Sequence, residues 1–416
     1  MIGSLYAGIS GLNSNALAMS VIGDNIANIN TSSFKSNRAS FSSILSQSLG
    51  GSTGNEIGRG VQLWGISSSW NQGSIENTSN PTDLAISGKG FFMLRDANDG
   101  SVFYTRAGEF NFDNTGNMIN PDGLIVQGYQ VATVNSDGTF TLGPITGINI
   151  PQESTNPPHA TTEFRVDLNL DAGASAGDTF STSLTTYDSL GNAIPVTITF
   201  TKGAAAGTWD AAASIPASAG TGATINGAAS IPITFDANGD LTAPAADATL
   251  SLNLTNGATS PQDINWDIFD DSGISFGDIT GYASASVTAF QTQDGYTSGA
   301  LRGVSVDEEG VVTGSYSNGQ LVPLYQVVLA DFPSYWGLAK MGNNLYAESR
   351  SSGQPIPGIA GTASLGNINP SSLEMSNVDL ASEFVKMMTT QRAFQANSRV
   401  ITTSDEILSE LINLKR

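Results

Sequence analysis

Leu380-Ala381-Ser382-Glu383-Phe384-Val385-Lys386-Met387 opens the stretch that decides the fold. From it Leu380, Met387, Phe394, Ile401 and Leu408 follow one another at seven-residue steps. Phe384 and Ile412 stand at the companion positions, with Gln391, Ser398 and Asp405 between those two. An unbroken heptad marks a helix that lays one stripe against another helix. A helix from about Asp379 to Leu414 is expected, with Asn377 or Asp379 as its N-cap, offering a side-chain oxygen to unpaired backbone N–H groups.

The other end of the chain answers it. Ile2, Leu5, Ile9, Leu12, Ala16, Met19 and Ile26 recur at alternating steps of three and four, with one gap at Gly23, so residues 1–30 read as a second helix. Ser, Asn and Gly rather than Glu and Lys lie between these positions, which leaves the helix without ion-pair support and marginal on its own. The simplest burial pairs the two helices with each other. A pair cannot cover both stripes, so the surplus apolar edge predicts further copies of the chain in a bundle or tube.

Between the helices the pattern is β. Short runs such as Phe91-Phe92-Met93-Leu94, Leu124-Ile125-Val126 and Tyr325-Gln326-Val327-Val328-Leu329 are bounded by turns such as Asp99-Gly100, Asp137-Gly138 and Asn318-Gly319. From Thr201 to about Ala258 Ala, Thr, Gly and Ser dominate, which predicts a surface region with a thin core. Gly50–Gly54 and Ser351–Pro355 read as linkers. The expected fold is α+β and multidomain: paired N- and C-terminal helices forming a coiled-coil-like inner domain, with nested, mainly antiparallel β domains inserted between them.

Composition narrows the function. At 416 residues the chain exceeds what one core usually serves. Its 16 Lys+Arg against 37 Asp+Glu give a net charge of −21, which argues against a nucleic-acid partner. Residues 1–40 carry +1 and residues 379–416 carry zero, so the acid is concentrated in the body and the ends are near-neutral, as for ends packed into something. Cys is absent and His occurs once, at His159, which removes the raw material for Cys/His metal sites, thiol nucleophiles and Ser–His relays. No catalysis, cofactor, metal or small-molecule substrate is expected. The start, Met1-Ile2-Gly3-Ser4-Leu5-Tyr6, lacks a basic n-region, so any export is expected to proceed without a cleaved signal peptide.

Several local patterns invite chemistry and read more plainly as structure. Asp236-Ala237-Asn238-Gly239-Asp240 with Asp247 is calcium-like, but its Gly stands at the fourth place rather than the sixth, so a hairpin turn is the better reading. Asp113–Asn117 reads as a turn as well. Gly88-Lys89-Gly90 lacks the spacing of a phosphate loop. His159, after Pro157-Pro158, reads as a solvated loop residue, and Asp270-Asp271 and Glu308-Glu309 as solvated turns. Met387 lies on the heptad stripe and reads as core, whereas Arg392 and Arg399 either contact neighbouring copies or face a channel.

Two linked motifs at opposite ends then carry a resemblance. Ser10-Gly11-Leu12-Asn13, Asn25-Ile26-Ala27-Asn28-Ile29-Asn30-Thr31 and Phe34-Lys35, paired with Gln391-Arg392-Ala393-Phe394-Gln395-Ala396-Asn397-Ser398, resemble the bacterial flagellar rod and hook axial proteins. Gly88–Phe92, Thr105–Phe110, Gly116-Asn117, Gly128-Tyr129, Leu373-Glu374 and Ser376–Leu380 agree with it. Thr186-Tyr187-Asp188-Ser189-Leu190-Gly191-Asn192, inside a large insertion, looks like the outer domain of the hook-type members.

The resemblance implies residues 1–30 and 376–416 as a terminal helical assembly domain, 31–70 and 351–375 as connecting segments, 71–145 and 289–350 as an inner β domain, and 146–288 as an outer β domain. It further implies an extracellular subunit that polymerises into a curved, flexible tube joining rod to filament. The implied partners are itself, a distal rod protein, a hook–filament junction protein, a hook cap, the flagellar type III export apparatus and a hook-length control protein. Self-assembly would rest on Leu5, Ile9, Leu12, Ala16, Met19, Ile26, Leu380, Phe384, Met387, Phe394, Ile401 and Leu408. Asn25, Asn28, Asn30, Thr31, Phe34, Lys35, Gln391, Arg392, Ala393, Phe394 and Asn397 carry the family motif. A distal-rod or junction protein is the alternative within the family, and a secreted sugar-binding or hydrolytic β protein using Asp270 and Asp271 the alternative outside it.

Overall fold

Two helices bracket the chain, α1 at Ile2–Ala27 and α2 at Leu380–Asn413, and every strand lies between them. The computed structural model describes residues 2–44, 47–48, 56–134, 139–269 and 277–413. Its two units are Met1–Gln152 with Gly303–Gly314 and Leu321–Arg416, and Glu153–Arg302 with Ser315–Gln320. The Gly50–Gly54 stretch, the Asp137-Gly138 turn, the Asp270-Asp271 pair and the Ile412 side chain lie outside the described residues.

In the first unit α1 and α2 pack antiparallel, with Ser4 Oγ 3.4 Å from Ser404 Oγ at one end and Asn25 hydrogen-bonded to Glu383 at the other. Asp379 is the N-cap of α2, its Oδ1 accepting the Ala381 N–H at 3.0 Å. Asn377, the other candidate, instead ties down the incoming chain, accepting from Ser36 N–H and donating to the Ser69 and Asn71 carbonyls.

The segment 31–70 is no simple connection. Strands Asn37–Ser43 and Val61–Ser68 pair antiparallel into a ribbon that lies against α1, where Ser10 Oγ accepts the Val61 N–H. Gly60, at φ 105°, approaches so closely that a Cβ would meet Ser10 Oγ at 2.1 Å. Ser351–Pro355 is likewise a turn rather than a slack linker: Ser352 is fully buried, and Ser349 Oγ accepts the Ser351 N–H. The inner sheet is built around Phe91–Arg95, paired antiparallel with Val102–Thr105 and Ile125–Val134. Its aromatic cluster joins Phe91, Tyr104, Phe332 and Tyr346, with Trp70 and Tyr335 packed against them.

The second unit is a sandwich. Five antiparallel strands, Thr179–Tyr187, Ala193–Lys202, Thr208–Ser214, Ile231–Phe235 and Leu241–Ala243, form one sheet. The other holds Glu163–Asn169, Gly220–Ile225, Ala248–Leu254, Gln262–Trp266, Ile279–Thr280 and Val287–Gln293. Both contribute to one core, which includes Phe164, Val196, Phe200, Trp209, Leu252 and Trp266. The expected thin core at Thr201–Ala258 is therefore corrected. Small and hydroxyl residues take the outward positions of each strand, while Trp209, Ile225, Ile233, Leu250 and Leu252 alternate inward. The boundary expected at 288/289 falls inside Val287–Gln293, which pairs along Glu163–Asn169.

One turn recurs through both units. Asp113, Asp188, Asp236 and Asp307 each accept, through Oδ1, the N–H groups two and four residues on. The glycine three residues on sits at φ 88°, 83°, 89° and 79° respectively, where a side chain would be strained. The calcium-like loop is thus a hairpin turn, and Asp247 lies elsewhere, accepting from Ile268 and Phe269 N–H. Burial raises the Asp113 pKa, but hydrogen bonds from Thr115 and Asn117 outweigh it and leave the pKa at about 2. Burial also opposes ionisation of Asp188, yet the Asn192, Asn256 and Leu190 donors hold its pKa below the ordinary value. A depressed folded pKa stabilises above the unfolded value of about 3.9, and that stabilisation is lost as pH falls through the folded value. Asp188→Ala should therefore destabilise the second unit by about 2 kcal/mol at neutral pH, with the deficit shrinking in acid, as read by denaturant midpoints. An unchanged midpoint would contradict the assignment.

Candidate assembly interface

The seam between the two helices is rich in small and polar residues, with Ile22 and Ile401 among them. Gly8 meets Ile401, where a Cβ would come within 3.1 Å of Cγ1. Gly11 meets Asn397, where a Cβ would lie 2.8 Å from Nδ2. On α1 Gly8, Gly11, Ser14, Ile22 and Asn25 are buried. The expected stripe stands beside this face, displaced by one residue, about 100° around a helix. Leu5, Leu12, Met19 and Ile26 are half-buried, Ala16 is exposed and Ile9 is 46% exposed. On α2, Met387, Phe394, Ile401 and Leu408 of the seven-residue row are half-buried and Leu380 is exposed. Its companions are corrected by one residue, because Glu383, Thr390, Asn397 and Ser404 take the seam and Phe384 is 46% exposed.

What the seam leaves outside is apolar. Tyr6, Ile9 and Leu17 of α1 and Phe384, Val385, Met388, Val400 and Ile407 of α2 are exposed. A groove of about 510 Å³ runs between the helices, walled by Ala16, Met19 and Phe394. Gln391, Arg392 and Arg399 are exposed and Ala393 is half-buried.

Below the helices a polar clasp joins the two ends of the chain. Glu374, fully buried, receives Lys35 Nζ at 2.6 Å, the Gly73 N–H at 2.9 Å and Arg106 Nη1 at 3.4 Å. Lys35 also donates to the Asn71 carbonyl, and Arg106 to the Gly88 carbonyl while lying 5.6 Å from the centre of the Phe91 ring. Burial holds the Lys35 pKa below its ordinary value, against the pull of Glu374. Nearer the helices, Asn25 uses its buried amide as a strand would: it accepts the Asn37 N–H and donates to the Asn37 carbonyl, both at 2.8 Å. The same amide reaches Glu383 at 3.2 Å, whose other oxygen receives Lys386.

The motif residues therefore divide. Asn25 and Lys35 are clasp residues, and Asn397 and Phe394 belong to the seam and groove. Asn28 and Thr31 shape the end of α1, where Asn28 Nδ2 donates to the Asp24 carbonyl and Thr31 Oγ1 to Asn28 Oδ1. Asn30 is exposed and Phe34 half-buried. Sequence reasoning missed Glu374, Glu383, Arg106, Asn37 and Asn377 as partners in this clasp. The available signal was their charge or amide in a chain with only 13% charged residues.

Comparisons with known proteins follow this layout. Residues 5–35 match the family described as flagella basal body rod protein, and residues 369–414 the flagellar basal body rod FlgEFG protein C-terminal family. Residues 85–167 match the flagellar hook protein FlgE/F/G D1 domain, and residues 159–296 the flagellar basal body protein FlaE D2 domain. The flagellar hook protein FlgE of Borreliella burgdorferi is 34% identical over 457 residues, covering 100% of both chains. The chain belongs to the flagellar hook protein family. The hook protein FlgE of Escherichia coli K12 is 35% identical over 422 residues, covering 98% of each chain. The crystal structure of Helicobacter pylori flagellar hook protein FlgE2 shares the fold, with a TM-score of 0.52 at 16% identity, covering 72% of this chain and 100% of that one. The chain is a structural subunit of the bacterial flagellar hook; alignment with hook proteins over its whole length selects this over the distal-rod and junction alternatives.

The clasp gives this hook protein a testable weak point. Glu374→Gln leaves Lys35 and Arg106 as buried, uncompensated cations and should cost about 3–5 kcal/mol, read as a lowered denaturant midpoint. Adding Lys35→Met should recover part of the loss. A single variant as stable as the parent would contradict the role given to Glu374.

Proposed function

We propose that the hook subunit polymerises through its terminal helices into a curved tube that transmits torque from rod to filament as a flexible joint. The observation that carries this is the seam itself: small and polar residues pair α1 with α2, and the apolar side chains remain outside, facing further copies. Leu5, Ile9, Leu12, Ala16, Met19 and Ile26, with Leu380, Phe384, Met387, Phe394, Ile401 and Leu408, act in that lateral contact or at its border. The terminal helices would form the assembly domain of that tube.

Bending requires outer contacts that shift without breaking buried ion pairs. The outward face of the five-stranded sheet supports this. Thr179, Ser181 and Ser183 stand opposite Thr201, Thr199 and Thr197 in register, and Asp210 is the charge on the strand beyond. Hydroxyl contacts are individually weak and exchange readily with water. We further propose export through the flagellar type III apparatus without a cleaved signal peptide, assembly beneath a cap, length control by a dedicated protein, and end contacts with the distal rod and hook–filament junction proteins. The role is mechanical and involves no catalysis.

Electron microscopy of the concentrated protein tests the reading. Full-length chains should form tubes or curved rods, whereas a variant lacking residues 1–30 should form none while its β body still unfolds cooperatively. Tubes from the truncated chain would overturn termini-driven assembly. Ile9→Ser with Phe384→Ser should abolish tubes without lowering the melting temperature of the monomer, since both side chains are exposed.

A further inference from the structure

Trp64 is 81% exposed, more than any other large apolar side chain among the described residues, and the ribbon is built to hold it there. Along Val61–Ser68 the half-buried Val61, Leu63 and Gly65 alternate with the exposed Gln62, Trp64 and Ile66. The register against Asn37–Ser43 passes from Ser40 opposite Gly65 to Phe41 opposite Leu63, so Trp64 is the extra residue of a β-bulge. A bulge breaks the ladder locally and re-aims a side chain, and this one sends an indole into solvent. Ile66 and Phe41, 54% and 39% exposed, accompany it on the ribbon. A tryptophan in water does nothing for the monomer, whereas in a partner's pocket it is among the strongest anchors an interface has.

The complement lies at the same height on the helix pair. Val61 is tied to Ser10 and Asn37 to Asn25, while Ser68 stands opposite Asn37. The seven steps from Val61 to Ser68 span about 23 Å as strand, and the fifteen from Ser10 to Asn25 about 22 Å as helix, so ribbon and α1 run side by side in step. Trp64, three steps past Val61, is about 10 Å along and therefore level with Ala16. Ala16, Met19 and Phe394 wall the groove of about 510 Å³ between the helices, and Ser20, Gln391 and Gln395 complete it with oxygens that accept an indole N–H. Arg392, exposed next to Gln391, adds a guanidinium able to lie over an indole face.

The two features lie on opposite flanks. Ser10, which holds the ribbon, and Met19, which walls the groove, are nine residues apart, about half a turn around α1. A copy therefore offers Trp64 on one side and the groove on the other, the head-to-tail contact that builds helical arrays. Charge fits the same contact. Arg38 is the only charge on the two ribbon strands and Asp24 the only charge on α1, both exposed and both at the Asn25 end. Toward the Ser10 end, Arg59 is exposed before the ribbon's second strand, and α2 carries the exposed Asp405 and Glu406. We propose, on the reading that the hook subunit polymerises through its terminal helices, that Trp64 of one copy seats in the groove of the next. Arg38 then faces that copy's Asp24, and Arg59 its Asp405 and Glu406.

Pelleting of tubes formed by the full-length protein gives the critical concentration, and electron microscopy identifies what has pelleted. Trp64→Ala should raise that concentration by about tenfold or more while the melting temperature of the monomer stays unchanged, since the indole is exposed. Ala16→Trp, at an exposed position of the groove wall, should do the same by filling the groove from within. In this chain without cysteine, Ile66→Cys with Ser20→Cys places thiols at one height on ribbon and groove. Oxidised tubes of that variant should yield a ladder of disulfide-linked chains that the dilute monomer does not. Tubes from Trp64→Ala at the parent's critical concentration would overturn this contact alone, as would double-cysteine tubes that give no ladder. A parent that forms no tubes would overturn the polymerisation reading, and this contact with it.

Discussion

The close approach of α1 to α2 at Gly8 and Gly11 is the constraint from which the rest of the structure follows. With no Cβ at either position, Ile401 and Asn397 reach the α1 backbone, and the pair closes on glycine, serine and asparagine rather than on leucine. Because small residues occupy much of the seam, many of the large apolar side chains, Tyr6, Ile9, Leu17, Phe384, Val385 and Met388 among them, are left outward. A helix pair closed by bulky residues would consume its own stripe and remain a monomer. Here the pairing sets the direction of the surplus surface, and that surplus is what a polymer can use.

The helix pair still needs anchoring, since α1 carries no charged residue in its first turn and no basic residue in its last. The clasp beneath it does this with buried polar and charged groups that hydrogen-bond to one another. Asn25 joins α1 to the ribbon through Asn37 and to α2 through Glu383, while Glu374 gathers Lys35, Gly73 and Arg106. Buried ions of this kind add little net stability over apolar substitutes, but each is costly to leave unpaired, so the arrangement tolerates few alternatives. For a subunit that meets many copies of itself, fixing one relation between the two chain ends matters more than adding stability. The acidic body fits the same division. Many of its carboxylates cap turns, so the charge is tied to backbone N–H groups and the hydroxyl face of the sandwich is left nearly uncharged.

The sequence made the two helices, the β character of the middle and the Asp-x-x-Gly turns legible because each is a local pattern. The seam was misplaced by one residue because apolar periodicity reports where large side chains gather, and in this chain most of them gather beside the seam, about 100° around the helix from it. The ribbon at 37–68 was hidden by its polar composition, Asn-Arg-Ala-Ser-Phe-Ser-Ser, which has no run of β-branched residues. The clasp was the least legible part. Lys35 and Glu374 are 339 positions apart and Asn25 and Glu383 are 358 apart, so no spacing rule joins them. The sandwich core was underestimated because its outward Thr and Ala dilute the average while the inward alternation remains intact.

The central claim is that α1 and α2 of one chain remain paired through this seam in the assembled tube, presenting their apolar faces to other copies. Cysteine is absent, so Ser4→Cys with Ser404→Cys introduces a single possible disulfide where the two hydroxyls stand 3.4 Å apart. The measurement is electron microscopy of the oxidised, purified double variant beside its reduced form. The account predicts an intrachain disulfide and tubes indistinguishable from the reduced ones. A protein that cross-links within the chain and then forms tubes only after reduction would contradict it, because the helices would have to part before they could assemble.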